Sequence, residues 1–351
     1  MPTRDPPPNV RRVTGHELIV DMHGHLYPAG LPGGPGRWPT LEVEADAGRI
    51  MRGDTVFREV RPALWDLTAR LGELDAAGID VQVVSPVPVT LTYWAEPRQA
   101  AEYARALNDG LAAQVADSGG RLRGLGTVPL QDTALAVDEL TRVMTELGLR
   151  GAEIGTVIGD HELDAPSLRP FFEAAEALGA VLFVHPMDGG KGAVRRTGQP
   201  YDFGLGMLTD TALATAALVF GGVLEDFPGL RIALAHGCGT FSLAYPRLKF
   251  MAQRGGHARA DELVRSLWVD SLVFDPAHLP LLVERFGEDH VMVGTDHPFM
   301  PGQLSAAPAA VRDAAHRGLL TERQASAVLG ANAARLFGLG DAPSPTGDIA
   351  G

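Results

Sequence analysis

The stretch 18–25 reads LIVDMHGH and joins a short apolar run to two histidines separated by one residue. In a β-strand, side chains two residues apart point to the same face, so His23 and His25 would lie side by side. Two imidazoles held on a rigid strand suit a divalent metal such as zinc. Such a pair can also be two partly buried rings, so these residues alone leave a metal role and a structural role equally open.

Three later segments share one form, an apolar run that ends in a polar residue beside proline or glycine. They end at His185, at His236 and at the pair Asp296-His297. Apolar runs of this kind are typical of parallel strands that are buried on both faces. A residue at the carboxyl end of such a strand lies where parallel barrels place their active sites. The sequence therefore predicts that these side chains meet at one edge.

The apolar runs and the stretches between them predict a (β/α)8 TIM barrel. Helix-like stretches with apolar residues at helical spacing separate most of the strands, for example 64–76, 100–116, 133–147 and 167–178. Alternating strands and helices imply a right-handed parallel sheet, and eight such units imply closure. The predicted strands cover residues 18–25, 80–86, 122–129, 150–155, 181–185, 232–236, 267–271 and 291–296.

The length of 351 residues suits a single barrel with an insertion better than the alternative of two small domains. We expect one metal-dependent barrel domain over residues 17–339, a flexible N-terminal segment over 1–16 and a flexible tail over 340–351. The stretch 27–61 lacks clear periodicity and follows the first strand directly. We expect it to be a small insertion that overlies the mouth of the barrel, since long loops at that edge are usually functional or disordered.

Charge and composition narrow the class of partner. The formal net charge of −13 argues against nucleic acid and against an anionic membrane surface, but a local pair of arginines could still bind a small anionic carboxylate. The single cysteine cannot form an internal disulfide, which favours a cytoplasmic setting. We expect no secretory signal in the first residues, and we interpret the apolar stretch 211–224 as a buried barrel helix.

The order of these motifs resembles that of the amidohydrolase superfamily, in its decarboxylase branch. The resemblance runs from about residue 21 to 337 and includes the stretches 63–66, 78–83, 128–132 and 332–333. It implies a metal site with zinc expected and manganese as the alternative. It also implies that His236 is the catalytic acid/base that acts on a metal-bound water, with an ordinary pKa near 6.5. The ligands that the resemblance implies are His23, His25, His185 and Asp296.

The resemblance also implies residues that bind the substrate. Arg58 would hold a substrate carboxylate, and Phe299 would line the pocket. Arg247 follows His236 by eleven residues and would reach the site of a neighbouring subunit, so the active form would be a homodimer. On a barrel, a residue in the helix after the sixth strand would normally face away from its own pocket.

Three positions depart from the family pattern. Met187 stands where the family decarboxylase has tryptophan, His297 stands where it has tyrosine, and Cys238 interrupts a glycine run. All three are expected beside the pocket. We therefore predict that Met187 and His297 contact the substrate, and we interpret Cys238 as a small packed residue rather than a nucleophile.

Three functions remain open from the sequence. The first is a zinc-dependent, non-oxidative decarboxylase of an amino- or hydroxy-carboxymuconate semialdehyde or a related carboxylated compound. The second is a metal-dependent hydrolase or hydratase of the lactonase or oxalomesaconate hydratase type. Such hydrolases frequently bridge two metals with a carboxylated lysine on the fourth strand, and the stretch 151–155 has no lysine. The third is an inactive barrel that acts as a binding protein, which the intact ligand set disfavours.

Overall fold

The strands follow the apolar runs of the sequence. The computed structural model describes residues 17–31, 37–190, 192–252 and 257–339, and the predicted flexible segments 1–16 and 340–351 lie outside these ranges. In chain order the strands are β1 (Val20–Leu26), β2 (Pro39–Glu44), β3 (Ala47–Arg52), β4 (Thr55–Val60), β5 (Val81–Pro86), β6 (Leu122–Gly124), β7 (Gly126–Thr127), β8 (Gly151–Gly155), β9 (Val157–Ile158), β10 (His161–Glu162), β11 (Val181–His185), β12 (Arg231–Leu234), β13 (Trp268–Asp270) and β14 (Val291–Met292).

Parallel pairing closes these strands into the predicted barrel. One run of pairs is β1-β5-β6, and the other is β7-β8-β11-β12-β13-β14. Only Leu125 separates β6 from β7, so the two form one barrel strand. The remaining gap is bridged by the amide of Met22, which donates to the carbonyl of Val293 (2.8 Å), and by the amide of His25, which donates to the carbonyl of His297 (2.7 Å). The (β/α)8 fold is therefore confirmed.

Helices follow the barrel strands where the helical spacing predicted them. Helix α1 shows how the sequence sets its ends: the side chain of Asp66 accepts from the amide of Ala69, and Gly78 ends the helix at φ 70°. The helices are α1 (Leu67–Ala77), α2 (Pro97–Asp117), α3 (Thr133–Thr145), α4 (Arg169–Leu178), α5 (Met207–Phe220), α6 (Val223–Asp226), α7 (Phe241–Ala252), α8 (Ala260–Arg265), α9 (Leu279–Phe286), α10 (Gln303–His316), α11 (Glu322–Ser326) and α12 (Asn332–Phe337).

One helical segment is long and apolar enough, by length and composition, to cross a membrane. It runs over Tyr201–Phe220 with a mean hydropathy of 1.5, and about a third of its most apolar part is buried. Its second part is α5, which follows β11 and places Ala214, Leu218 and Val219 in the core between helices and barrel. The face of α5 that carries these residues therefore packs against the barrel. This agrees with the interpretation of the stretch 211–224 as a barrel helix.

The barrel interior is a second apolar core beneath the site. One face of most barrel strands contributes to it, and α12 closes its lower end. Phe183 is its uppermost aromatic ring, 4.9 Å from the ring of His23. The histidines at the strand ends therefore stand on a rigid apolar floor.

The insertion after β1 has more order than the sequence predicted. Strands β2, β3 and β4 form an antiparallel sheet, with a turn at Gly53 (φ 59°) between β3 and β4. The insertion was expected at this place, but its three strands were not, because the stretch 27–61 shows no clear periodicity. The sheet brings Phe57 and Arg58 over the barrel mouth.

Candidate metal centre and substrate cavity

Four predicted ligands meet at the carboxyl ends of the strands. His23 and His25 lie in β1, His185 ends β11, and Asp296 follows β14. All four are buried, and one ligand atom from each lies within 4.8 Å of every other. The structure thus assembles at one point residues from three stretches that are far apart in the sequence.

Hydrogen bonds fix the orientation of each imidazole. Nδ1 of His23 donates to the carboxylate of Asp270 (2.7 Å), Nδ1 of His25 donates to the carbonyl of Pro86 (3.2 Å), and Nδ1 of His185 donates to the carbonyl of Pro186 (2.8 Å). A neutral ring that donates from Nδ1 has a lone pair on Nε2. His25 and His185 therefore present an unprotonated Nε2 to the centre of the cluster, and His23 does so once its ring is neutral.

The arrangement of these atoms fits a divalent cation. The Nε2 atoms of His23 and His25 lie 3.2 Å apart and cannot hydrogen-bond to each other when both rings are neutral. Nε2 of His185 is buried and has no hydrogen-bond partner among the described residues. Oδ1 of Asp296 is 3.3 Å from Nε2 of His25. A cation between these atoms would satisfy all of them, and three imidazoles with one carboxylate are a donor set that zinc prefers.

The charges of the cluster also suit metal binding. Burial lowers the pKa of His25 and of His185, so both rings are neutral at pH 7. Burial alone would raise the pKa of Asp296, but the contact with His25 and the charge on His23 lower it to about 2. Burial likewise opposes charge on His23, yet the hydrogen bond to Asp270 raises its pKa to about 9. Metal binding would therefore displace a proton from His23.

His236 lies beside the ligand cluster and lines the same cavity. Its ring centre is 4.9 Å from that of His185 and 5.4 Å from that of His23. Burial and, to a smaller extent, the charge on His23 together lower the pKa of His236 to about 4. The expected ordinary pKa near 6.5 was therefore wrong. At pH 7 this ring is neutral and can accept a proton.

A cavity of about 600 Å³ opens from the cluster, a size typical of sites for small molecules. Arg58 reaches into it from β4, with its guanidinium 4.7 Å from the ring centre of Phe299. Burial lowers the pKa of Arg58, which nevertheless remains a cation. Within the part of the chain that the structure describes, this guanidinium makes no hydrogen bond or ion pair. It is therefore available to an anionic ligand.

Arg247 does not reach the cavity of its own chain. It lies on α7, where it is exposed, and it makes no hydrogen bond or ion pair to any described residue. Met187 lies next to the cavity but lines an adjacent cleft, where its side chain packs over Gly155. The structure thus brings Arg58 and Phe299 to the cavity but places Arg247 and Met187 outside its lining.

His297 requires a correction to the sequence prediction. Its ring is buried and does not line the cavity. Nε2 donates to Glu73 (2.9 Å), and Nδ1 accepts from the guanidinium of Arg70 (3.2 Å). Arg70 is itself buried and also donates to the carbonyl of His25. His297 therefore links α1 to the metal-binding loop instead of contacting the substrate.

Cys238 is a packed residue, as we interpreted it. The thiol is buried 3.1 Å from the hydroxyl of Thr215, and burial raises its pKa to about 12. It is therefore protonated at neutral pH and is a poor nucleophile.

Two buried acids at the site were missed by sequence analysis. Asp270 ends β13 and accepts from His23. Glu153 in β8 accepts from the hydroxyl of Ser85 and lies 3.6 Å from Nδ1 of His25, and burial raises its pKa to about 8. The pattern that indicated His185, an apolar run that ends in a polar residue, would also have indicated Asp270.

The fold and the cluster together define a metal-dependent barrel enzyme. The family model described as Amidohydrolase matches residues 20–339, so the chain belongs to the amidohydrolase family. The 2-amino-3-carboxymuconate-6-semialdehyde decarboxylase of Dictyostelium discoideum is 37% identical to it over 305 residues, which cover 82% of this chain and 83% of that protein. This relative places the chain in the family's decarboxylase branch, among the carboxy-lyases, and confirms the resemblance.

Solved structures agree with this assignment. The 5-carboxyvanillate decarboxylase of Sphingomonas paucimobilis has a TM-score of 0.76 and 26% sequence identity, and the match covers 92% of this chain and 99% of that one. A dihydroxybenzoic acid decarboxylase from a Polaromonas species, solved with bound manganese, has a TM-score of 0.68 and 24% identity over 80% of this chain and 89% of that one. At 24% identity, the similarity to the Polaromonas structure supports the fold alone.

Proposed function

We propose that the protein is a zinc-dependent, non-oxidative decarboxylase of 2-amino-3-carboxymuconate-6-semialdehyde or a closely related amino- or hydroxy-carboxylated compound. One observation carries this proposal: the four-ligand cluster, the neutral His236 and the unpaired Arg58 border a single cavity. The name of the relative that is 37% identical supports the substrate class.

Arg58 and Phe299 would orient the substrate. A guanidinium can hold a carboxylate by two charge-assisted hydrogen bonds, which would fix which carboxylate faces the metal cluster. The rings of Phe299 and Phe57 border the same space and suit a flat conjugated molecule. Together these side chains would bind a substrate that has a carboxylate at one end and a planar conjugated part at the other.

His236 would move the proton that decarboxylation requires. The carbon–carbon bond to the carboxylate breaks, carbon dioxide leaves, and the carbon that carried it takes up a proton. A conjugated enamine or enol with an aldehyde can accommodate the electron pair meanwhile. Because His236 is neutral, it can take up one proton from the solvent and then deliver it to that carbon, so that each carboxylate and proton consumed give one protonated carbon and one carbon dioxide.

His23, His25, His185 and Asp296 would hold the metal. A bound zinc ion would supply a Lewis acid that polarises a substrate oxygen and lowers the pKa of water from 15.7 to about 7. Zinc is proposed because the donors are mainly imidazoles. Manganese is the alternative, since the Polaromonas structure holds that metal.

A direct assay tests the proposed reaction. The purified protein, loaded with zinc, should remove the absorbance of the carboxymuconate semialdehyde and release one carbon dioxide per substrate consumed. The same assay with 5-carboxyvanillate and dihydroxybenzoate would measure how far specificity extends to aromatic acids. Loss of the substrate without carbon dioxide would contradict the proposal and favour the hydrolase or hydratase. Glu153, in place of a bridging lysine on the fourth strand, disfavours that alternative.

The pH dependence of turnover follows from the pKa of His236. Protonation removes its ability to accept a proton, so turnover should fall only as the pH drops toward about 4. An ordinary histidine would already lose half its activity at about pH 6.5. Rate measurements from pH 4 to 8, with metal content determined at each pH, would check this. An acid limb near 6.5 in fully metal-loaded protein would contradict it.

We also propose that the active form is a homodimer in which Arg247 enters the partner's cavity. Three apolar side chains on the same helix are strongly exposed: Leu243 by 80%, Phe250 by 62% and Met251 by 54%. Exposed apolar patches of this kind commonly mark protein interfaces. Leu243 also lines the cavity, so a partner that covers this helix would lie at the cavity mouth.

Mixing two inactive variants tests the shared site. Arg247→Ala protein and His236→Ala protein, combined under conditions of subunit exchange, should recover up to about a quarter of wild-type activity, because half of the subunits are then in heterodimers and each heterodimer has one intact site of two. The activity of each variant alone is the baseline. No recovery despite measured exchange would contradict the shared site, and a fully active monomer would exclude it.

A cytoplasmic location is part of the proposal. It is supported by the single cysteine of the chain, which leaves no internal disulfide to form.

A further inference from the structure

Asp270 accepts four hydrogen bonds at the carboxyl end of β13. Oδ2 accepts from Nδ1 of His23 (2.7 Å) and from the amide of His236 (2.9 Å). Oδ1 accepts from the amides of Gly237 (2.8 Å) and Leu272 (3.0 Å). The side chain is completely buried, so these four protein donors, and not solvent, satisfy its two oxygens. One oxygen atom thus contacts both a predicted metal ligand and the backbone of the predicted acid/base.

The backbone that Asp270 holds is strained. Residues 236–239 all have positive φ, with 56° at His236 and 63° at Cys238. Neither residue is glycine, and a residue with a Cβ rarely adopts such a conformation. Successive amides in this conformation form a concavity that binds an anion, and the carboxylate of Asp270 fills it. The carboxylate therefore compensates for the conformation that points His236 at the cavity.

We propose that Asp270 is a positioning residue that sets His23 and His236 relative to each other. Its carboxylate keeps His23 in the tautomer that presents Nε2 to the metal. The same carboxylate keeps the backbone of His236 in the left-handed conformation. Metal affinity and placement of the acid/base would then depend on a single side chain. The part that concerns turnover rests on the proposed function, whereas the part that concerns metal affinity does not.

Asp270→Asn is a sharp test because it keeps the shape and removes one acceptor. If the amide oxygen stays with Gly237 and Leu272, the NH₂ group faces the amide of His236 and forces His23 to accept through Nδ1. His23 would then carry its proton on Nε2, where the metal should bind. If the amide is flipped, the NH₂ group faces the two donors at Gly237 and Leu272. Neither orientation preserves the four bonds.

The first measurement is zinc affinity, by competition with a chelating dye. Asp270→Asn should bind zinc about 10–100-fold more weakly than wild type, the usual effect of removing a partner that orients a ligand. The visible spectrum of the cobalt-loaded protein should change as well. The matched control is Glu139→Gln, since Glu139 is also a buried carboxylate, bonded to Asn108 and Arg142 away from the cavity. Unchanged zinc affinity in Asp270→Asn, or an equal loss in the control, would overturn the proposal.

The second measurement compares turnover at saturating zinc in two backgrounds. As a single substitution, with His236 present, Asp270→Asn should lower kcat by about 10–100-fold because His236 is misplaced. In His236→Ala protein the same substitution should leave the residual kcat unchanged but still weaken zinc binding. Equal losses of kcat in both backgrounds would show that Asp270 does not act through His236. Failure of the wild-type protein to decarboxylate would refute the proposed function and leave the zinc result intact.

A third measurement needs no variant and covers the case in which Asp270→Asn does not fold. Wild-type zinc protein labelled with ¹⁵N-histidine should show His23 protonated on Nδ1, with that proton protected from exchange. Protonation of His23 on Nε2 would overturn the proposal.

Discussion

His236→Ala is expected to lower turnover by roughly two to four orders of magnitude, the usual contribution of a general acid/base. The reason is that His236 lines the cavity as a neutral ring beside the ligand cluster, and alanine cannot move a proton. Its zinc content should stay near that of wild type, because the four ligands do not include it. Steady-state rates and elemental analysis of the same sample would measure both effects.

His278→Ala is the matched control for this substitution. His278 lines the same cavity, but it is exposed at the outer end and belongs to a short turn before α9. Its removal should leave turnover within a few-fold of wild type. Loss of zinc together with activity in His236→Ala would instead identify His236 as a ligand. Equal losses in the two variants would show that the effect is not specific to His236.

The barrel could be predicted because its strands are buried on both faces. Strand β11 coincides with the apolar run that predicted it, Val181–His185. Strand β14 is shorter than predicted, since it ends at Met292 before the ligand is reached. Asp296 has φ 54°, a conformation incompatible with a strand. The ligand therefore lies on a bent segment beyond the ladder, which an apolar pattern does not reveal.

The insertion could not be predicted in the same way because its sheet has no continuous buried face. Strand β2 is buried only at its first residue, and β4 has none that is fully buried. Alternation between apolar and polar residues is therefore weak, and the strands are short. Arg58 was assigned through a resemblance and not through this pattern.

Only those residues of the candidate site that lie at the carboxyl ends of barrel strands could be predicted from the sequence pattern. Residues at those ends must converge, so His185 and Asp296 were found without knowledge of the fold. The sequence pattern does not indicate in which direction a side chain points. Asp296 points into the cluster, whereas the adjacent His297 points to Glu73. The buried contacts of Arg70 join residues distant in sequence, and no local pattern indicates them.

Removal of the metal is expected to abolish turnover. The purified protein should hold roughly one equivalent of divalent metal, with zinc predominant, because the four donor atoms lie close enough together to bind a single ion. Dialysis against a chelator should remove both metal and activity, and zinc should restore them. Two equivalents of metal per chain would favour the hydrolase or hydratase instead. Full activity without metal would show that the cluster is not a catalytic metal site.

His185→Ala would locate the metal within the chain. This substitution removes the one ligand whose buried Nε2 has no other partner among the described residues, so its only apparent use is a bond to the metal. Zinc affinity should fall by more than the 10–100-fold expected when a partner of a ligand is lost. The control is Asp210→Asn, since Asp210 is another partly buried acid, bonded to Thr156 beside the adjacent cleft. Wild-type zinc affinity in His185→Ala would contradict the assignment, and a comparable loss in Asp210→Asn would point to general disruption of the fold.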